Sequence, residues 1–297
     1  MSEGSESAVE TISSELNCLS CKAPLGTPWL TDCPDEYLGT PFRVTYYECP
    51  NCKLVQQAPV PADIAPFYPQ YPQHKPRSGL LELARRTVLR SPYFQPPSAA
   101  RDWTLLDYGC GDGSYLAQWR NRVGRLLGFE PDAAHAAILA DRLALPVYSD
   151  PKQLIKDYAG SVDRITAHFV LEHVTDIAGS LQLMSALLSP DGRIHLALPD
   201  IRSWEARLFG RHWHGLDAPR HICFPDRAAL DRIGLEHGLR VATERPAYFP
   251  NLLAASLATV LAGKYSHPLF LAMMPVGMLA AVCAPRSIRV YEMVKIR

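Results

Sequence analysis

Residues 105–113 read Leu-Leu-Asp-Tyr-Gly-Cys-Gly-Asp-Gly, and no other stretch limits the fold as tightly. An apolar run leads into Asp107. Glycines follow at 109, 111 and 113, and an amphipathic stretch then runs from Ser114 to Arg122. A strand, a tight turn and a helix N-terminus in that order belong to an α/β sheet. Glycine in such a turn supplies unusual backbone angles and lets a ligand approach the main chain closely. The pattern predicts a nucleotide-type cofactor site at the end of a strand.

Two cofactor classes use such a turn. Dinucleotide sites want G-x-G-x-x-G with a pyrophosphate on the helix N-terminus. Here the spacing is G-x-G-x-G, with an acid two residues before the first glycine. A carboxylate at Asp107 would repel a pyrophosphate, and it suits a ligand that carries an ammonium and a sulfonium. The residues resemble motif I of the class I S-adenosylmethionine-dependent methyltransferases.

The resemblance extends over roughly residues 77–297. Arg125–Glu130 reads as a second strand ending in an acid, Pro146–Asp150 as a short third and Val162–His173 as a fourth with its exit. Val170–Val174 spells the "VLEHV" signature of one large subgroup. Leu187–Gly192 reads as a helix end and turn, followed by strand five at Arg193–Leu198. Leu239–Ala247 and Ile288–Ile296 supply strands six and seven. The expected fold is a Rossmann-like seven-stranded methyltransferase sheet with helices on both faces, preceded by a small zinc ribbon. The resemblance implies a cofactor site of Asp107, Gly109, Gly111, Gly113, Glu130, Asp150 and His168. In it, Glu130 takes the ribose hydroxyls and Asp150 contacts adenine.

Five of the eight cysteines precede residue 53. Cys18-Leu-Ser-Cys21 and Cys49-Pro-Asn-Cys52 are two C-x-x-C pairs separated by 27 residues. Two such knuckles can close a tetrahedral four-cysteine structural zinc site, and Phe42–Tyr47 between them has the composition of a hairpin strand. No N-terminal hydrophobic signal is present, which favours metal over disulfides at these pairs and a cytoplasmic location. Cys33 reads as a bystander. Cys110, Cys223 and Cys283 read as ordinary buried cysteines.

The chain divides into a Ser- and Glu-rich tail expected to be disordered (1–16), a zinc ribbon (17–60), a Pro- and aromatic-rich linker (61–76) and the methyltransferase domain (77–297). Arg77–Arg90 reads as an amphipathic helix before the glycine turn. Lys plus Arg and Asp plus Glu balance at 30 each, and residues 17–60 hold only Lys22, Arg43 and Lys53 as bases. No nucleic-acid partner is expected from that charge.

The stretch after strand five is dense in groups that stack, donate and accept. It carries Trp204, Phe209 and the run His212-Trp-His-Gly-Leu-Asp-Ala-Pro-Arg-His221. Relatives with a VLEHV element show a similar "PRH" run, so the loop is expected to serve a small-molecule acceptor. Candidate bases are His173, His214 and His221. His212 and His214 as metal ligands find no supporting Cys or His spacing.

Between strands six and seven, residues 250–286 form an apolar insertion. Leu269–Pro285 is 17 residues without a charge, interrupted by Pro275 and Gly277. That is shorter than the roughly 20 residues of a spanning helix, and a helical hairpin on the acceptor side is predicted. It can contact a membrane interface peripherally, at the inner face, or a second copy of the chain through 252–285.

The implied reaction is an in-line displacement of the sulfonium methyl by an acceptor atom of a sugar, a natural product, or a polysaccharide or lipid-linked intermediate, with the protein supplying alignment. Two other readings stay open, a nicotinamide-dependent oxidoreductase on the same kind of sheet and a non-catalytic cofactor-binding protein.

Overall fold

A computed structural model describes residues 16–61, 101–247, 249–283 and 287–296. The expected tail, most of the linker and the Arg77–Arg90 helix lie outside the described residues.

The glycine turn follows an interior strand of a seven-stranded sheet. In chain order the relevant strands are β4 (Thr104–Tyr108), β5 (Arg125–Phe129), β6 (Val147–Tyr148), β7 (Val162–His168), β8 (Leu188–Pro199), β10 (Leu239–Ala247) and β11 (Ile288–Lys295). Their spatial order is β10-β11-β8-β7-β4-β5-β6. The β4–β5, β4–β7, β5–β6 and β7–β8 pairs are parallel, whereas β11 runs antiparallel to both β8 and β10. The expected sheet is therefore present.

Alternation along the strands explains why helices cover both faces. Leu105 and Leu106 are neighbours on β4 and point oppositely. Leu105 packs with Leu116 and Trp119 of α1 (Ser114–Trp119) and with Leu139 of α2 (Ala133–Leu143). Leu106 joins Leu181 and Met184 of α4 (Ile177–Leu187) and Leu230 and Ile233 of α6 (Arg227–Glu236). α3 (Pro151–Tyr158) and α5 (Trp204–Phe209) complete the run before the insertion. Asp132, Asp150, Asp176 and Asp226 cap α2, α3, α4 and α6 with side-chain oxygens that accept from first-turn amides.

One boundary differs from the sequence reading. α4 ends at Leu187, but β8 begins at once at Leu188 and carries Pro190-Asp191-Gly192 within it. A register irregularity between Val162 and Arg164 of β7 absorbs that segment. Pro190, Asp191 and Gly192 fall between the Leu188 and Arg193 pairs, where the ladder is interrupted.

The amino-terminal module forms a second sheet. β1 (Pro28–Pro34), β2 (Arg43–Glu48) and β3 (Val55–Ala58) are antiparallel, and the fourth strand, β9 (Cys223–Phe224), comes from the long loop after β8. The ribbon and the loop therefore share one sheet. The 250–286 insertion folds as the expected helical hairpin, α7 (Pro250–Ala262) and α8 (His267–Cys283). Gly277 lets the two helices touch, since a Cβ there would meet the Pro250 carbonyl oxygen at 2.5 Å.

Candidate functional site

The glycine turn is a cradle closed from one side. Gly109 adopts φ of +73°, and a Cβ there would lie 2.7 Å from a Val170 methyl. Only glycine meets both conditions. Val170 follows β7 and leads into a short 3-10 turn at Leu171–His173. The "VLEHV" stretch is thus folded directly against the turn.

Two carboxylates flank the cradle. Glu130, just past β5, accepts from the Gly111 amide at 3.1 Å and is 9% exposed. Asp107 is buried within β4 and accepts from the Thr166 hydroxyl at 2.9 Å. Burial pushes the Asp107 carboxyl up to about 7, with Asp112 and Glu130 adding to the shift and the Thr166 hydrogen bond opposing it. His168, at the end of β7, sets its ring edge-on to Tyr115 at 4.8 Å. Burial, then His195, lowers His168 to about 3, so the ring is neutral. Asp150 is exposed and accepts from the Lys152 amide as the cap of α3. Gly113 has φ of +68° at the N-cap of α1. The predicted cofactor residues lie on β4 and β7 and on the turns that follow β4, β5 and β6.

The three candidate bases separate into two places. The His173 and His221 rings meet edge-to-face at 4.6 Å. Nδ1 of His173 lies 2.9 Å from the Arg220 carbonyl, and Nδ1 of His221 lies 2.8 Å from the Gly215 carbonyl. Burial lowers both, His221 to about 3 with His173 adding to the shift. Glu172 is fully buried beside them, pushed up to about 8 first by burial and then by Asp217. His214 is elsewhere. It stacks on Tyr265 at 5.4 Å and near Tyr37 at 6.0 Å, and its amide donates to Ser256 of α7. The hairpin therefore packs against the acceptor loop.

Other loop residues turn toward the ribbon rather than toward open space. Trp213 is buried with Val44, Tyr46 and Phe224, and His212 pairs with Glu36. Arg220 is fully buried between Asp35 at 2.9 Å and Asp217 at 2.7 Å. The Tyr46 hydroxyl donates to the His221 carbonyl at 2.9 Å, and the Gln57 side-chain amide donates to the Pro219 carbonyl at 3.1 Å. Asp35, Tyr46, Gln57 and Thr166 carried no mark in the sequence, because their partners are far away along the chain.

The four predicted zinc ligands converge. All four sulfur atoms lie within 4.8 Å of one another, with the Cys18–Cys52 and Cys21–Cys49 pairs at 3.5 Å. The two knuckles repeat one backbone pattern. The Lys22 amide donates to the Cys18 carbonyl and the Lys53 amide to the Cys49 carbonyl, both lysines at positive φ. A four-thiolate cluster of this size fits a tetrahedral zinc. Cys33 and Cys110 are buried apart from it.

A cavity of 390 Å³ opens at the opposite edge of the sheet, between Asp191, Arg193, Arg240 and Lys295. It is on the wrong side for a ligand of this topology, which lies past the carboxyl ends of the strands.

A family model described as a methyltransferase domain matches residues 72–244. Among curated relatives, the ubiquinone biosynthesis O-methyltransferase of Rhodopseudomonas palustris strain HaA2 is 32% identical over 106 residues, covering 34% of this chain and 42% of the relative. The protein of the same description from strain TIE-1 is 28% identical over 112 residues, with the same coverage. The match thus spans less than half the length of these relatives. Among solved structures, the geranyl diphosphate C-methyltransferase of Streptomyces coelicolor A3(2) has a TM-score of 0.46 and 16% identity, over 73% of this chain and 80% of that one. The O-methyltransferase of a trans-AT PKS multienzyme of Brevibacillus brevis gives 0.45 and 18%, over 72% and 76%.

Proposed function

The chain belongs to the methyltransferase-domain family, and from that premise we propose that it moves a methyl group from S-adenosylmethionine to an O, N or C atom of a small-molecule acceptor. The observation that carries the reading is the Gly109 cradle closed by Val170, with Glu130 accepting from the Gly111 amide and Asp107 buried in the strand that leads into it. A buried carboxylate under the turn suits a cationic ligand and opposes the pyrophosphate of a nicotinamide cofactor.

S-adenosylmethionine, when bound, supplies a methyl group already activated on sulfur. The chain's own work is holding, alignment and proton handling. Asp107 would face the cationic end, Glu130 would accept from the ribose hydroxyls, and Asp150 and His168 would serve the nucleoside side. Gly109, Gly111 and Gly113 leave room for close approach. On the acceptor side, the neutral rings of His173 and His221 can take a proton from an acceptor hydroxyl, although their low affinity for protons makes them weak bases. His214, stacked between the ribbon and the hairpin, would line the same side.

Cys18, Cys21, Cys49 and Cys52 would hold a structural zinc whose ribbon fixes the acceptor loop through β3 and β9. Among the described residues no helix is long and apolar enough to cross a membrane. The exposed Leu271, Val276, Met278 and Leu279 of α8 support a contact surface for a lipid interface or a second copy, in a cytoplasmic protein. Vesicle co-sedimentation separates the first occupant from the second, which light scattering would report as a dimer.

Calorimetry tests the central reading. Binding of S-adenosylmethionine and none of NAD is expected. Tight NAD binding with no response to S-adenosylmethionine would sink it.

A further inference from the structure

Glu172 is fully buried, and its carboxylate oxygens find no partner on any other described residue, its own backbone amide being the one donor close to them. Native structures rarely leave a buried carboxylate in that state unless something else engages it. Its surroundings show what that is. A carboxylate oxygen of Glu172 and one nitrogen each of His173 and His221 lie within 4.8 Å of one another. Ligands at about 2.0–2.2 Å from one tetrahedral ion lie roughly 3.3–3.6 Å apart, so the three groups would draw together by up to about an ångström to share one.

The imidazoles are set up for the same purpose. A carbonyl oxygen only accepts, so the contacts to the Arg220 and Gly215 carbonyls place the proton on Nδ1 of both rings. In the neutral ring the lone pair then resides on Nε2. Metal-bound histidines are oriented by this kind of outer hydrogen bond. Asp217 stays outside the set. Its Oδ2 is 3.9 Å from His221 Nε2, while its Oδ1 accepts from Arg220 at 2.7 Å.

We propose that Glu172, His173 and His221 bind a divalent first-row transition ion, forming a second metal site distinct from the four cysteines. Two imidazoles and one carboxylate suit iron, cobalt or zinc. Three protein ligands leave a coordination position for an oxygen donor. That an acceptor hydroxyl fills it rests on the acceptor reading above, whereas binding of the ion does not. With the ion bound, His173 and His221 are ligands in place of the proton acceptors suggested there.

The test uses the full chain, purified with its zinc and kept reduced, titrated with Co²⁺ alone. One further equivalent should bind, with weak visible d–d absorption and no thiolate charge-transfer band. Glu172→Gln and His221→Asn should each weaken that equivalent by more than the roughly 10–100-fold that loss of an outer-shell partner costs, while zinc content stays at one. No second equivalent in the wild type overturns the proposal, as does unchanged Co²⁺ affinity in a variant that keeps its zinc. If Glu172→Gln does not fold, the wild-type titration and His221→Asn still decide. S-adenosylmethionine binding, measured on the same wild-type preparation, reports separately on the cofactor reading.

Discussion

The cofactor end and the acceptor end of this molecule are held together over very different distances along the chain. The Gly111–Glu130 contact spans 19 positions, and the Asp107–Thr166 contact that ties the cradle to β7 spans 59. The Arg220–Asp35 contact spans 185 positions, Tyr46–His221 spans 175 and Gln57–Pro219 spans 162. The first region needs only local backbone geometry and the parallel pairing of β4 with its two neighbours, β5 and β7. The second needs the ribbon to be folded and docked before its loop has a shape. An element that depends on a separate metal-stabilised module should therefore fail separately from the cradle.

Removing the zinc is the strongest way to break the comparison. Structural zinc supplies on the order of 10 kcal/mol to modules of this kind. Cys49→Ser should unfold the ribbon, free β9 and release the acceptor loop. Turnover should fall by about 100-fold, the scale expected when a positioning element shifts by about an ångström, whereas S-adenosylmethionine affinity should change little. Metal analysis, calorimetry and a turnover assay on one preparation check this. Equal losses of cofactor binding and turnover would mean the two ends are not separable.

The buried ion network gives the next largest effect. Arg220→Ala would strand Asp35 and Asp217 in the interior, and breaking a buried pair costs about 3–5 kcal/mol. The pH dependence has a definite sign. Burial alone would raise Asp217, but Arg220 overrides it and holds the carboxyl well below the usual range. A depressed carboxylate contributes stability above its unfolded value of about 3.9, and that contribution is lost as the pH falls through the folded value. Urea unfolding at pH 7 should therefore separate wild type from Arg220→Ala, and the gap should narrow as the pH drops below about 4.

This contrast also explains what could be read in the sequence. The strand order, the acid–glycine turn and the paired cysteines were legible because each is a short pattern with a local physical cause. Leu187–Gly192 reads as a helix end and turn; the helix does end at Leu187, and residues 189–192 stand out between the Leu188–Val162 and Arg193–Arg164 pairs. The apolar run with Pro275 and Gly277 announced a hairpin, but its packing on His214 through Ser256 and Tyr265 did not follow from it. Arg220 and Trp213, grouped with the acceptor-facing residues, instead face the ribbon. Asp35 and Gln57 sit in ordinary surroundings, and nothing in their neighbours names a partner more than 160 positions away. Glu172 could be read as an acid beside a histidine, but its lack of a partner on any other described residue is a property of the folded interior.

Glu130→Ala sharpens the comparison from the other side. The loss should fall on cofactor affinity, roughly 1–3 kcal/mol for leaving two ribose hydroxyls without acceptors. Zinc content and the stability difference made by Arg220 should be unchanged. Calorimetry in parallel with metal analysis reads both. A Glu130→Ala protein that binds S-adenosylmethionine as tightly as wild type would remove Glu130 from the cofactor site.

The smallest expected effect is a pH dependence confined to the cofactor end. In the folded protein burial raises Asp107 to about 7, from an ordinary value of 3.8. Between these two values the folded protein keeps a proton that the unfolded chain has released, so this group costs stability progressively as the pH rises through that window. A cation bound beside Asp107 favours the carboxylate and reverses the trend for binding. S-adenosylmethionine should then expel a proton when it binds near pH 6–7. Its affinity should weaken as the pH falls below about 7, by at most about tenfold per pH unit for one proton, and level off above. Calorimetry at pH 6.5 in two buffers of different ionisation heat measures the released proton directly. Asp107→Asn should abolish the buffer dependence, while binding through Glu130 persists. A binding heat that is the same in both buffers for the wild type would mean that Asp107 is already ionised in the free protein or lies away from the charge it is proposed to face.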